Sequence, residues 1–425
     1  MKTRIQTLHT TNENAIRQFL GKDGNILFFD IETTGLSPKN ASVYLIGAAV
    51  IEDKKWTLHQ WFAENTAEEE AILDAFLQFS VPYKKLVHFN GTTFDIPFLQ
   101  AKCKKYGLTA SFAEMEQTDI YRQISPFKNL LKLSNCKQKT LEEFLGLNRE
   151  DPFNGGQLIE LYKVYRQERD HRLLEVLLLH NADDLRGMLS VVSILSYPAL
   201  FAMHPENARA ELDISTDYEG NRQKELLLYL QLPVFLPVPL ALHAGGCFFS
   251  AKEDSGVLKI PVYSGELKFF YPDYKNYAYL PEEDKAIHKS VAVYVDKAHR
   301  VPATPATCYT KKEGDFLPQH LLPSQDDLFT PAFRREVRQR APRSAGRPYA
   351  QEKESFFLLE EAFHDDSGRL SLYAHHILNG MRYRIPFFPV TDNISDMSEA
   401  SGPMFFFPYR KSDTEQQSKQ GYCLG

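Results

Sequence analysis

Residues 27–36 read Leu-Phe-Phe-Asp-Ile-Glu-Thr-Thr-Gly-Leu, an apolar run that ends in two acids two positions apart, Asp30 and Glu32. Leu27, Phe28 and Phe29 predict a strand buried on both faces, and the two-residue period of a strand points Asp30 and Glu32 to the same side of it. Two carboxylates on one face of a core strand repel each other and lose hydration, so a cation has to sit between them. A divalent metal ion meets that need most simply.

A chain of 425 residues has room for two or three domains, each with its own core. Its 43% hydrophobic and 24% charged residues are those of an ordinary globular protein, and the net charge of −6 restricts any nucleic-acid partner to local basic patches. Five cysteines with no Cys-x-x-Cys pair argue for free thiols in a reducing compartment, hence a cytoplasmic location. Residues 1–25 are polar and mixed in charge, which argues against a secretory signal. The longest apolar stretch, 226–242, is interrupted by Pro233, Pro237 and Pro239, so no membrane span is expected.

Taken in order, a leader over 1–21 holds a short helix at 12–20. A domain over 22–198 begins with the Asp30 strand, and strands at 43–51 and 56–63 follow across the polar turn 52–55, predicting a three-stranded antiparallel meander. Helical spacing covers 68–79, a short strand covers 85–89, and a helix begins near Asp95, where Pro97 occupies its first turn. Further helices are predicted at 138–147, 156–168 and 172–196, the last with Leu173, Leu177, Leu185, Met188 and Val192 on one face.

The remaining acids fall where a metal site needs them. Asp95 closes the run His88-Phe89-Asn90-Gly91-Thr92-Thr93-Phe94-Asp95 at a strand-to-helix junction. In His180-Asn181-Ala182-Asp183-Asp184, inside the long helix, His180 and Asp184 are four apart and share a face, whereas Asp183 is turned by about 100°. Oxygen ligands without thiolates suit Mg²⁺ or Mn²⁺. Taken singly, these residues have plainer readings: Asp95 as a helix cap, His180 as a bonded core histidine. Asp119 reads as a cap or turn residue with a supporting role at the site as the alternative, Asp151 as a turn residue before Pro152, and Glu142 and Glu143 as solvent-facing.

These motifs resemble the DEDD superfamily of 3′-to-5′ exonucleases. Its first motif, Asp-x-Glu, is matched by Asp30-Ile31-Glu32 with Thr33-Thr34-Gly35-Leu36 behind it. Its second, Asn-x-x-x-(Phe/Tyr)-Asp, is matched by Asn90 through Phe94-Asp95. The third departs from both usual forms, Tyr-x-x-x-Asp and His-x-x-x-x-Asp, because His180 stands at the tyrosine spacing from Asp184. With Asp119-Ile120-Tyr121 and Lys139-Thr140-Leu141-Glu142 in order between them, the arrangement is most similar to the YprB-type ribonuclease-H-like proteins of bacteria. The resemblance covers roughly residues 22–198. It implies an α/β, ribonuclease-H-like mixed sheet flanked by helices, with Asp30, Glu32, Asp95 and Asp184 holding two Mg²⁺ or Mn²⁺ ions about 4 Å apart. It further implies His180 as general base, Thr34, Gly35 and Leu36 against the terminal nucleotide, Asn90 and Phe94 positioning it from the other side, and 5′-mononucleotide products.

After Tyr197-Pro198 the pattern changes. Residues 199–224 read as a polar linker, and 225–320 as a smaller β-rich accessory domain with strands at 225–231, 257–263, 266–271 and 291–296. Thr307-Cys308-Tyr309-Thr310-Lys311-Lys312 sets an aromatic beside two cations, either a single-strand contact or a solvated strand end. His243, Cys247, His288, His299 and Cys308 lack finger spacing for zinc. The segment 321–355 is basic and flexible, with Arg334, Arg335, Arg338, Arg340, Arg343 and Arg347 forming either a phosphate-binding arm or a solvated linker. A helical C-terminal part and polar tail fill 356–425.

The expected function is a metal-dependent 3′-to-5′ exonuclease acting on DNA or RNA ends, without a membrane partner. The rivals are a nucleic-acid-binding or scaffolding module on a vestigial nuclease fold, or an endonuclease on the same fold.

Overall fold

The computed structural model describes residues 1–384 except 11, 22–24, 111, 148–154, 217–219, 221, 320–327 and 337–352. The first half of the chain forms β1 (Lys2–Leu8), α1 (Glu13–Leu20), β2 (Ile26–Thr33), β3 (Val43–Glu52), β4 (Lys55–Phe62), α2 (Glu69–Ser80), β5 (Lys85–His88), α3 (Asp95–Tyr106), β6 (Glu116–Asp119), α4 (Ile120–Ile124), α5 (Gln138–Phe144), α6 (Gly155–Glu168), α7 (His171–Val191) and α8 (Ser196–Ala202). Six strands make one mixed sheet in the order β1-β4-β3-β2-β5-β6, antiparallel from β1 to β2 and parallel from β2 to β6. The predicted meander is β2-β3-β4. The leader is no appendage, because β1 pairs along the whole of β4 and extends the sheet.

Strand β2 is central and covered on both faces, which is why its Leu27-Phe28-Phe29 run is continuous rather than alternating. Leu27 and Phe29 face Phe76 of α2, Leu99 of α3 and Phe112. Phe28 faces the other way, among Ala49, Ile120, Leu141, Leu185 and Leu189. Each phenylalanine, fully buried, contributes about 1.5–3 kcal/mol. Asp30 and Glu32 continue the Phe28 face and therefore meet α7. The helical stretch 171–202 is long and apolar enough to cross a membrane by composition, but 61% of its most apolar window is buried inside the protein, as a core helix requires.

The second half forms β7 (Glu206–Thr216), β8 (Arg222–Ala244), β9 (Cys247–Pro261), β10 (Tyr263–Phe270), β11 (Tyr277–Leu280), β12 (Lys285–His288), α9 (Lys289–Ala292), β13 (Val301–Pro302), β14 (Tyr309–Pro318), β15 (Phe333–Glu336), β16 (Lys353–Leu358), α10 (Glu361–His364) and α11 (Ser367–Arg384). β7, β8 and β9 make an antiparallel sheet, β10, β14, β16 and β15 a closed barrel, and β12, β11 and β13 a small third sheet. The β-rich expectation holds here.

Several expectations do not. The stretch read as a linker over 199–224 contains the end of α8 and all of β7, an edge strand whose side chains are mostly exposed and therefore largely polar. The proline-interrupted run at 226–242 lies within the single strand β8, where Pro233, Pro237 and Pro239 coincide with register shifts between Gln231 and Leu240. Residues 291–296 are not a strand: His288 caps α9 by accepting from Ser290 N, and a turn follows. The start of the C-terminal part expected to be helical from 356 belongs to β16, leaving α11 as the long terminal helix. Asp151, Pro152, Arg338, Arg340, Arg343, Arg347 and the tail lie outside the described residues.

One hydrophobic cluster runs from Phe28 and Leu185 through Leu195, Tyr197 and Phe201 to Leu226, Phe249, Tyr373 and Ile377, so the two halves share a core. Tyr197 Oη donates to the carbonyl of Val238 at 2.7 Å and accepts from its N–H at 3.2 Å, pinning the residue between two prolines.

Candidate active site

The site is built where β2 meets α7. Asp30 on β2 pairs in register with Gly47 on β3, and a Cβ at Gly47 would lie 2.1 Å from Asn181 Oδ1 and 2.6 Å from Leu185 Cδ1. The absent side chain lets α7 lie directly across the sheet. His180 Nε2 then comes within 3.2 Å of Asp184 Oδ2 and 3.5 Å of Glu32 Oε1. Glu32, His180 and Asp184 each offer one ligand atom, all within 4.8 Å of one another, a geometry that can hold a metal ion.

Asp30 and Asp95 belong to the same electrostatic group. Burial, followed by the charges of Asp184, Asp95 and Glu32, pushes Asp30 well above the carboxylate range, with His180 opposing. Burial pushes Glu32 up to about 8 against the opposing pull of His180, and Asp184 adds to the rise. Burial raises Asp95 to about 7, while backbone N–H groups of Asp95 and Ile31 pull it back. Three acids that burial makes reluctant to ionise, with the carboxylate of Asp184 beside them, suit a hard divalent cation, which would supply the missing positive charge.

Asp183, turned away from this group, is paired with Arg186. Asp184 is therefore the helix acid that meets His180 and Glu32.

Asp95 is aimed by the loop before it. Asn90 takes a left-handed conformation (φ 61°), and a Cβ on Gly91 would strike His88 Cγ at 2.7 Å. Asp119 holds this loop by accepting from Asn90 N at 3.0 Å and Thr92 N at 3.3 Å. It also caps α4 through Arg122 N at 3.2 Å, so the cap reading and the supporting role are one arrangement. His88 accepts from Gly91 N at Nδ1, 3.1 Å away, and burial lowers its pKa, which favours the neutral ring this bond needs.

Of the residues expected to meet a nucleotide, Thr34 Oγ1 accepts from Ser42 N at 2.8 Å, Gly35 lies against Ala41, and Leu36 is 83% exposed at the head of the turn. Across the site, the Asn90 side chain accepts from Thr93 Oγ1 at 2.7 Å, and Phe94 leans on Phe98 with ring centroids 5.6 Å apart.

Three positioning groups were not singled out from the sequence. Asn181, fully buried, donates from Nδ2 to Asp30 Oδ2 at 3.0 Å and accepts at Oδ1 from Gln60 Nε2 at 2.9 Å. Gln60 also donates to Leu178 O at 2.8 Å, tying β4 to α7. Gln138 donates to the carbonyl of Asp184 at 2.8 Å and to Glu142 Oε1 at 2.9 Å. Glu142 is thus buried against α7, contrary to the solvent-facing expectation, because Gly187 leaves room for it: a Cβ there would lie 2.0 Å from Glu142 Oε1. Asn181 follows His180 directly, and its adjacency to the motif was the available signal.

The six-stranded mixed sheet β1-β4-β3-β2-β5-β6, with acids on strand β2 and on the helix laid across it, defines a ribonuclease-H-like domain. Residues 27–196 match the family described as the RNase_H superfamily, and that part of the chain has a ribonuclease-H-like fold. Among curated relatives, it is similar to YprB of Bacillus subtilis, 26% identical over 208 residues that cover 47% of this chain and 50% of YprB. It is also similar to the PolC-type DNA polymerase III of Caldanaerobacter subterraneus, 28% identical over 144 residues covering 29% of this chain and 10% of the polymerase. The chain thus spans half the length of the first and a tenth of the second. Solved structures that align with it include the family B DNA polymerase of Pyrobaculum calidifontis, with 14% identity, a TM-score of 0.34, and coverage of 59% of this chain and 35% of that one. Escherichia coli exonuclease I in complex with a dT13 oligonucleotide aligns with 14% identity and a TM-score of 0.25, over 53% of this chain and 55% of that one.

Proposed function

We propose that the protein is a metal-dependent 3′-to-5′ exonuclease that removes 5′-mononucleotides from the 3′ end of a single strand. The observation that carries this reading is the convergence of Glu32, His180 and Asp184 within 4.8 Å, with Asp30 and Asp95 coupled to them in a buried setting.

Asp30, Glu32, Asp95 and Asp184 would hold two Mg²⁺ or Mn²⁺ ions, which when bound lower the pKa of water and stabilise charge on the phosphoryl oxygens. The chain's own residues supply the rest. His180 Nε2, already turned toward Asp184 and Glu32, takes the proton of the attacking water. Asn181 fixes the Asp30 carboxylate by its 3.0 Å bond, so that the acid on β2 does not swing away from the acids on α7 and α3. Leu36, exposed at the end of the turn after β2, offers an apolar contact to the terminal base, with Thr34 and Gly35 shaping the turn. Asn90 and Phe94 face the sugar from the loop that Asp119 holds.

The reading is tested by incubating 5′-labelled single-stranded DNA and RNA with the protein and Mg²⁺ or Mn²⁺ and sizing the products. A ladder shortening from the 3′ end, absent with EDTA and absent in a folded Asp30→Asn variant, is expected. Internal cleavage products, or unchanged turnover by Asp30→Asn, would overturn it.

A further inference from the structure

Strand β3 changes its stride beside the acid cluster. Asp30 and Ile31 pair one for one with Gly47 and Ile46, but Glu32 pairs with Leu45 and Thr33 already with Val43. Tyr44 is thus an extra residue opposite Glu32, a β-bulge. Strict alternation would turn Tyr44 away from Leu45, to the side of Val43 and Ile46. With the bulge, Tyr44 and Leu45 both join Phe62 and the helices α6 and α7, among Tyr162, Leu174 and Leu177. That is the side of the sheet to which Asp30 and Glu32 point.

Tyr44 is 1% exposed. Its ring lies flat on that of Tyr162, with centroids 4.0 Å and planes 13° apart, and stands edge-on to Phe62 at 6.2 Å. This packing explains the ring and not the hydroxyl, because a phenylalanine would fill the same place without burying a polar group. The neighbouring tyrosines have their hydroxyls answered: Tyr162 Oη donates to Ala63 O at 2.9 Å and Tyr165 Oη to Glu64 Oε1 at 3.1 Å. Among the described residues Tyr44 Oη has no hydrogen-bond partner. The acceptor it faces is the carboxylate of Glu32, which lies close without meeting hydrogen-bond geometry. Burial, and after it the charge of Glu32, hold the phenol well above its ordinary pKa, so the hydroxyl keeps its proton as a donor.

We propose that Tyr44 is a positioning residue for Glu32: when Glu32 ligates a divalent cation through one carboxylate oxygen, Tyr44 Oη donates to the other and holds the carboxylate in its ligand orientation. Asp30 already has such a partner in Asn181. Tyr44 gives Glu32 the equivalent, from a strand that supplies none of the four acids. The inference rests on the reading of the acid cluster as a metal site and adds the group that orients one of its ligands.

The test is calorimetric titration of Mn²⁺ into the full chain, with melting curves in EDTA and in saturating Mn²⁺. Tyr44→Phe is expected to weaken Mn²⁺ binding roughly 10- to 100-fold, the usual loss when a donor behind a metal ligand is removed. Its melting temperature in EDTA should equal or exceed that of the wild type, because a buried hydroxyl without a partner has gone. A residue that only packs would give the reverse, a lower melting temperature with Mn²⁺ affinity intact. Tyr162→Phe, which loses the bond to Ala63 beneath the same ring stack, should melt lower and bind Mn²⁺ as the wild type does. In a Glu32→Gln background, Tyr44→Phe should make no further difference to Mn²⁺ affinity. If Tyr44→Phe does not fold, Tyr44→Met carries the same measurements.

Unchanged Mn²⁺ affinity in a folded Tyr44→Phe protein would overturn the proposal. So would an equal loss in Tyr162→Phe, or a full loss from Tyr44→Phe in the absence of the Glu32 carboxylate. A wild-type chain that binds no Mn²⁺ would refute the metal reading and this inference with it, whereas tight binding by wild type and Tyr44→Phe alike would refute the role of Tyr44 alone.

Discussion

Asn181 Nδ2 donates to Asp30 Oδ2 at 3.0 Å, joining the helix that carries two of the site's residues to the strand that carries two others. Oδ1 of the same side chain accepts from Gln60 Nε2, so the asparagine is held at both ends and cannot rotate without breaking one bond. Asn181→Leu is expected to leave Asp30 free to turn and Gln60 with a buried unpaired donor, a cost of about 1–3 kcal/mol in stability. Single-turnover cleavage should slow at saturating substrate, with a rise in the metal concentration needed for half-maximal rate. An unaltered metal requirement would show that the bond supports the fold and not the site.

The two neighbouring acids on α7 separate by direction. Asp184 joins His180 and Glu32, whereas Asp183 pairs with Arg186. Asp184→Asn should abolish measurable cleavage, and Asp183→Asn should retain most of it while lowering the melting temperature. Comparison of the two initial rates at equal protein concentration decides the matter, and a reversed order would remove Asp184 from the metal site.

His180 lies four residues before Asp184, the spacing at which the resembled tyrosine subclass carries its tyrosine. As the proton acceptor, its loss in His180→Ala should lower the maximal rate by roughly 10²- to 10⁴-fold while calorimetric Mn²⁺ binding persists on the four carboxylates. His180→Tyr should restore part of the rate, because the spacing to Asp184 is the tyrosine spacing. A His180→Ala enzyme of near-normal rate would leave the histidine a packing residue beside the acids.

Acid–base balance among the buried carboxylates, with metal removed, gives a prediction with a definite sign. Glu32 is pushed up to about 8 and Asp95 to about 7, above the values of about 4.3 and 3.9 in an unfolded chain. The folded protein therefore binds more protons than the unfolded one between those limits, and the stability contributed by the protonated acids is complete below about pH 4 and lost as pH rises through 7 and 8. In EDTA the melting temperature should fall across that window. Excess Mn²⁺ should raise it most at the alkaline end, and Glu32→Gln should flatten the metal-free decline. A decline of the same steepness in Glu32→Gln would place its origin elsewhere.

The chain advertises its first half clearly. An apolar run that stops on Asp30 and Glu32 can be read without a structure because the charges are in the wrong place for a core strand, and the four-residue spacing of His180 and Asp184 fixes which acid on α7 faces them. The meander β2-β3-β4 and the helices α2, α3, α6 and α7 follow from plain periodicity. What was hidden depends on partners far along the chain. Glu142 looks like any surface glutamate until Gly187 is seen to admit it, and the polar alternation of β7 resembles a linker until β8 pairs with it. Prolines usually end a strand, so the length of β8 could not be anticipated: its register shifts, and the grip of Tyr197 on Val238, carry it past them.

Asn181 and Asp30 are separated by 151 positions, and nothing in the first two-thirds of that interval can take the place of α7. The strand with Asp30 and Glu32 leaves the ribosome well before α7, and the acids of the two elements meet only once that helix lies across the bare position at Gly47. The order of synthesis thus sets when the cluster of Glu32, His180 and Asp184 can assemble, which is only after the long helix has emerged.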